Sequence, residues 1–235
     1  METNSQSIFE ELILAARILA DKGVLDGFGH VSARSNSRPD HYYMVCDNAA
    51  ELADRTAIME LDLESNPILQ ESRQPSIERF IHGEIYRARP DVHAVVHTHS
   101  PYLIPFGVSK TPLMPLYHMC GFLDQGVPVF DIALDHGDTD MLVSSHKKGQ
   151  SLARSLDESA LVLMRGHGAT AVGSSIKEAV YRAIYATLNA QLQPIAMQLN
   201  EPKYLSHSEA LAADELHKKT LDRAWSFWTK NLNTK

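Results

Sequence analysis

The chain is short of several things, and each shortage excludes something. Only two cysteines, Cys46 and Cys120, stand in 235 residues. They are far apart and form no CxxC pair, so neither a disulfide framework nor a cysteine-built zinc site is expected. With no glycosylation sequon and no signal-like start, they point to a reducing cytoplasm as plain buried or half-buried thiols. No run of five Lys or Arg occurs, and the formal net charge is −7. Nucleic acid and anionic membrane surfaces are therefore not expected as partners. No apolar run reaches the roughly 20 residues of a membrane span. Repeats, low-complexity blocks and linkers are missing as well. What is present, 44% hydrophobic and 22% charged residues, is an ordinary globular balance. At this length a core needs no disulfide or metal to hold it, so a bound metal would serve chemistry rather than the fold.

Helical and strand patterns alternate along one unit spanning 1–235. Residues 7–22, "SIFEELILAARILADK", set Ile8, Leu12, Ala15, Ala16 and Leu19 at helical spacing, with Gly23 as the stop. "HYYMVC" and "AIMELDL" read as strands. A helix is expected from Pro75 and Ser76 to Pro90, with Ile77, Ile81 and Ile85 on one face. "HAVVHTHS" follows as a strand. Residues 101–130 read as loops with short strands, and 139–156 as a helix. "SALVLMRGHGATAVG" reads as two strands joined by a glycine turn. A long helix then runs toward Pro194, where it bends or breaks. From about residue 201 the chain is a polar, helical tail. Antiparallel pairs and helical crossovers both occur, so the expected class is α/β, a layered sheet with helices.

The informative residues are histidines. Strand positions two apart share a face about 6.6 Å apart, so His97 and His99 can lean toward one metal. A lone HxH reads more plainly as two hydrogen-bonded histidines in a half-buried strand. The second motif, "MRGHGATAVG", shifts that balance: it sets His167 between two glycines at a strand end, open to close approach. Three neutral imidazoles with an open position are the usual layout of a catalytic metal site. Glu78 falls in the first turn of the preceding helix, whose N-terminus favours its carboxylate. It reads either as a charge at the helix start or as a fourth ligand or acid/base. His82 reads as packing or support, and Arg79 stays open. "GFGHVSAR" lacks the third glycine of a dinucleotide fingerprint. Its glycines can instead present amides to an anion, with His30 at the edge.

Three stretches together, "GFGHVSAR" (27–34), "PSIERFIHGEIYRARPDVHAVVHTHSP" (75–101) and "RGHGATAVG" (165–173), resemble the class II aldolase/adducin family. The resemblance runs from about residue 8 to about 193. It implies a three-layer α/β/α domain with a mixed, mostly antiparallel sheet, assembled as a homotetramer with sites at subunit interfaces. It makes His97, His99 and His167 ligands of one divalent metal per subunit, and Glu78 a ligand or proton handler. The phosphate-holding elements of the sugar-phosphate aldolases are altered. His30 replaces an Asn, "MVCDNAAEL" replaces a "TPSG"-like loop, and Ile77 replaces a serine. A phosphate held here would be left under-bonded.

The closer likeness is to a decarboxylase branch, those acting on hydroxy-carboxymuconic semialdehyde, dihydroxyphthalate and hydroxy-methylpyridine-dicarboxylate. "YHMCGFL" (117–123) is near its counterpart there. This implies a decarboxylase of an ortho-hydroxy aromatic or pyridine dicarboxylate, or of a hydroxymuconate-type acid. Its catalytic candidates are Glu78 and His30, and its substrate-binding candidates Gly29, His30, Ser32 and Arg79. Mn²⁺ or Zn²⁺ is the expected metal, with Co²⁺ or Fe²⁺ also suited. Tyr181 and Tyr185, one turn apart, read as packing or as proton donors to a neighbouring site, which His118 also could approach. The competing expectations are an aldolase of hydroxy-aldehydes or sugar phosphates and a non-catalytic adducin-like module.

Overall fold

Alternation within the strands decides which face each residue covers. The computed structural model describes residues 2–46, 50–69, 73–124 and 126–232. Residues 47–49, the middle of the "MVCDNAAEL" stretch, lie outside them. Strands β1 (His30–Arg34), β2 (His41–Val45), β3 (Ile58–Asp62), β4 (Ala94–Thr98), β5 (Val129–Phe130), β6 (Leu161–Met164) and β7 (Gly168–Gly173) form one sheet. Their order is β3-β2-β1-β4-β7-β6-β5, and all neighbours are antiparallel except β5 and β6.

The helices are α1 (Glu2–Asp21), α2 (Arg79–Ala88), α3 (Ile104–Val108), α4 (Ile132–His136), α5 (His146–Leu156), α6 (Ile176–Leu199), α7 (His207–Lys218) and α8 (Leu221–Leu232). Val31, Ala33, Tyr43, Val45 and Val96 pack on one face with residues of α1, α6 and α8. Tyr42, Met44, Val95 and Val162 turn to the other face and meet Ile81, Ile85, Leu152 and Leu156 of α2 and α5. The architecture is the α/β/α sandwich that the resemblance implied, and a layered sheet with helices as the patterning led one to expect.

Several boundaries differ from the expectation. Helix α2 starts at Arg79, not at Pro75. Ile77 precedes it and is 55% exposed, whereas Ile81 and Ile85 are fully buried. Residues 101–130 form α3 and a 3-10 turn (His118–Leu123) more than strands. Helix α5 begins only after Ser145, whose hydroxyl accepts the Lys148 amide and caps it. Helix α6 runs on through Pro194 to Leu199; Pro194 lies exposed, where one missing ladder bond is tolerated. The polar tail folds into α7 and α8, which bury Ala210, Trp225 and Trp228.

Candidate metal centre and active site

One end of the sheet gathers the histidines. Antiparallel register sets His30, at the start of β1, opposite His97, near the end of β4. On its other side His97 faces Thr170 of β7. His99 follows one residue past β4. His167 sits in the turn between β6 and β7. Residue 168, which opens β7 after that turn, is glycine and lets β7 close on the end of β4: a Cβ there would come 2.0 Å from the Thr98 carbonyl oxygen.

His99 Nε2 lies 3.0 Å from Nε2 of both His97 and His167. Glu78 Oε2 is 3.6 Å from His97 Nε2 and 3.4 Å from His167 Nε2. One donor atom from each of the four residues lies within 4.8 Å of all the others. An ion about 2.1 Å from each ligand sets neighbouring donors about 3.0 Å apart at a right angle and about 3.4 Å at the tetrahedral angle.

Outward hydrogen bonds fix the tautomers of two of these rings. His167 Nδ1 stands 2.9 Å from the Met141 carbonyl oxygen, which can only accept, so Nδ1 carries the proton. Thr170 Oγ1 donates to Met164 Sδ, 3.5 Å away, and is left to accept from His97 Nδ1 at 3.3 Å. Both rings therefore aim bare Nε2 lone pairs at one point. Such lone pairs repel unless a cation stands among them, and an outward Nδ1–H is the usual support of a metal-bound imidazole. The residues present fit a divalent ion.

The charge states agree with that fit. Burial drives His97 well below the ordinary imidazole range and lowers His99, keeping both neutral. Burial also opposes charge on His167, but the Glu78 carboxylate, which would accept an Nε2 proton from the charged ring, outweighs it and raises this ring. Burial would raise the Glu78 carboxyl. The pull of a charged His167, which would donate from Nε2, the nearby His97 and the Val143 amide, which donates to Oε1 at 2.9 Å, outweigh that and hold it low, at about 2. Glu78 is the residue before α2 but makes no side-chain cap there. Its carboxylate is thus held by the histidines and Val143, not by the helix end that the sequence suggested.

The remaining candidates divide. The His30 ring lies 5.0 Å from that of His97, and its Nδ1 is 2.7 Å from His82 Nε2. Ser32, expected at the substrate, is fully buried instead. Its hydroxyl lies 2.6 Å from His82 Nδ1 and 2.7 Å from the Tyr86 hydroxyl, because its place in β1 turns it under α2. Arg79 is likewise spent elsewhere: it donates to the carbonyls of Ser65 (2.7 Å) and Ser76 (3.0 Å) and lies over the Phe80 ring. Gly29 (φ +83°) brings the chain against β4, where a Cβ would meet the His97 carbonyl oxygen at 2.9 Å. One amide of the expected anion nest, that of Phe28, is already taken by Asp26 Oδ1 at 2.8 Å. Tyr181, Tyr185 and His118 line a separate cavity of about 510 Å³ with His217 and Arg223. Tyr181 donates to the Met119 carbonyl at 3.0 Å.

Sequence reasoning missed Thr170, Met141 and Tyr86. Tyr86 had a signal, since Glu78, His82 and Tyr86 recur every fourth residue. Thr170 and Met141 had none, because only strand register and loop path bring them to the histidines.

Comparison with known proteins bears on this geometry. The family described as the class II aldolase and adducin N-terminal domain matches residues 10–193. The decarboxylase tropJ of Talaromyces stipitatus is 36% identical over 94% of this chain and 92% of its own. A 3,4-dihydroxyphthalate decarboxylase of Arthrobacter keyseri is 29% identical over 74% of this chain and 73% of its own. Among solved structures, an aldolase II superfamily protein from Pseudomonas syringae superposes with a TM-score of 0.81 at 18% identity, covering 98% of this chain and 94% of that one. The fold, the converging histidines and these decarboxylase relatives agree: the chain is an enzyme, a carboxy-lyase, and it belongs to the class II aldolase and adducin N-terminal domain family.

Proposed function

We propose that the chain is a divalent-metal-dependent decarboxylase of a small anionic carboxylate. The substrate class is an ortho-hydroxy aromatic or pyridine dicarboxylate, or a hydroxymuconate-type acid. The observation that carries this reading is the convergence of three imidazole Nε2 atoms and one carboxylate within 4.8 Å. His97, His99 and His167 are the ligands in this proposal, with Mn²⁺ or Zn²⁺ the first choices and Co²⁺ or Fe²⁺ also suited. When bound, the ion supplies Lewis acidity for the electron pair that departing CO₂ leaves behind.

The chain's own residues do the rest. Glu78, buried and ionised beside the histidines, is either a fourth ligand or the group that moves a proton. His30, half-buried at the same sheet end, binds the substrate carboxylate or returns the proton to carbon. A phosphate finds poor support here. Asp26 holds the Phe28 amide, Arg79 is committed to backbone carbonyls, and Ser32 is buried. The full ligand set argues against a non-catalytic module. Both cysteines are buried thiols, which suits a cytoplasmic enzyme.

The proposal includes a homotetramer. Leu188, Leu192, Ile195 and Leu199 are exposed along α6 at alternating four- and three-residue steps, a stripe suited to pairing with another helix.

The test is a direct competition of chemistries. Manganese-loaded protein is offered ortho-hydroxy aromatic dicarboxylates, 3,4-dihydroxyphthalate among them, and separately sugar phosphates. CO₂ release from the dicarboxylates is the expected result. Cleavage of a sugar phosphate to a triose phosphate, with no CO₂ from any acid, overturns the proposal in favour of an aldolase.

A further inference from the structure

The hydrogen bonds running from His30 into α2 have a direction. Tyr86 is buried, and the one hydrogen-bond partner of its hydroxyl among the described residues is Ser32 Oγ, at 2.7 Å. The phenol proton therefore has one acceptor, Ser32 Oγ, and an unspent O–H inside a protein is costly. Having accepted from Tyr86, Ser32 gives its own proton to His82 Nδ1, 2.6 Å away. His82 is fully buried, and burial lowers it to about 3, so it is neutral and holds one ring proton. That proton sits on Nε2 and points at His30 Nδ1, 2.7 Å away.

We infer that Tyr86, Ser32 and His82 lock His30 as the tautomer with its proton on Nε2, so that it presents a donor, not a lone pair, beside the three histidines. His30 Nδ1 is an acceptor, whereas His97 Nδ1 and His167 Nδ1 are donors. Two histidines facing each other across β1 and β4 are thus wired oppositely, His97 as a ligand and His30 as a donor. An Nε2–H suits an anionic oxygen of a bound carboxylate. It also keeps His30 from competing for the metal. Tyr86 and His82 are positioning residues that act through His30. This substrate-side role rests on the decarboxylase reading; the tautomer does not.

The experiment is a long-range ¹H–¹⁵N correlation spectrum of ¹⁵N-histidine-labelled, zinc-loaded protein at alkaline pH. Signals are assigned by their loss in His30→Gln and His82→Gln. The expected spectrum has His30 and His82 protonated on Nε2 and bare on Nδ1. Tyr86→Phe and Ser32→Ala should each turn His30 into a tautomer mixture, and Ser32→Thr should restore it. Tyr86→Phe should also lower kcat/KM for CO₂ release about tenfold with metal content unchanged. A wild-type His30 protonated on Nδ1, or a spectrum that Tyr86→Phe and Ser32→Ala leave unchanged, overturns the lock. Should a variant fail to fold, the wild-type spectrum still decides. Absence of CO₂ release with the expected spectrum removes the decarboxylase reading and leaves the lock standing.

Discussion

Glu78 and the histidines divide their work by charge. The imidazoles are mostly neutral, and the carboxylate brings the negative charge that a dication needs in a buried place. Glu78→Gln keeps the size and one carbonyl oxygen for the Val143 amide but removes that charge. We predict at least a hundredfold fall in kcat for CO₂ release, the usual scale for losing a proton-handling or charge-stabilising group. Metal content, read by mass spectrometry, should fall less than in His97→Ala, which removes a ligand outright. At this scale the histidine cluster was legible because HxH on a strand and GHG at a turn are both local patterns. The hydrogen bonds that set each tautomer were not. His30 and His82 lie 52 residues apart in sequence, and His97 and Thr170 lie 73 apart. The partners of Ser32 were hidden for the same reason: its side of the strand was visible, but the helix above it was not.

Elements hold the site through close backbone approach. Strands β4 and β7 must come together so that His99 and His167 share one point, and Gly168 is where they touch. In Gly168→Ala the added Cβ would sit 2.0 Å from the Thr98 carbonyl oxygen, so the strands must part. We predict a stability loss of roughly 1–3 kcal/mol, the usual cost of overpacking, measured by urea denaturation. A matching fall in bound metal should follow, because the displaced backbone carries His99. Strand identities were legible from alternation, and the β6–β7 hairpin from its glycines. Helix starts were less so. Pro75 and Ser76 look like the opening of a helix, yet the chain turns helical only at Arg79, after Glu78 has delivered its carboxylate to the histidines.

At the scale of the whole molecule, the outer helices carry what the sheet leaves open. The tail reads as polar from composition, but its two tryptophans, buried in the core, make it part of the fold. The apolar stripe on α6 was not legible either, because spacing alone cannot tell a buried face from an exposed one. No helix among the described residues is long and apolar enough to cross a membrane. If another copy of the chain covers it, Ile195→Glu should lower the particle mass seen by light scattering while leaving the circular dichroism spectrum intact. A wild-type mass of one chain would refute the tetramer.

The central claim is that one divalent ion, held by His97, His99 and His167 beside Glu78, makes decarboxylation possible. The most direct measurement strips the protein with a chelator and titrates Mn²⁺ or Zn²⁺ back while CO₂ release from an ortho-hydroxy aromatic dicarboxylate is followed. The account predicts an inactive stripped protein whose activity returns in proportion to metal and levels off at one ion per chain. Undiminished CO₂ release from metal-free protein would contradict it.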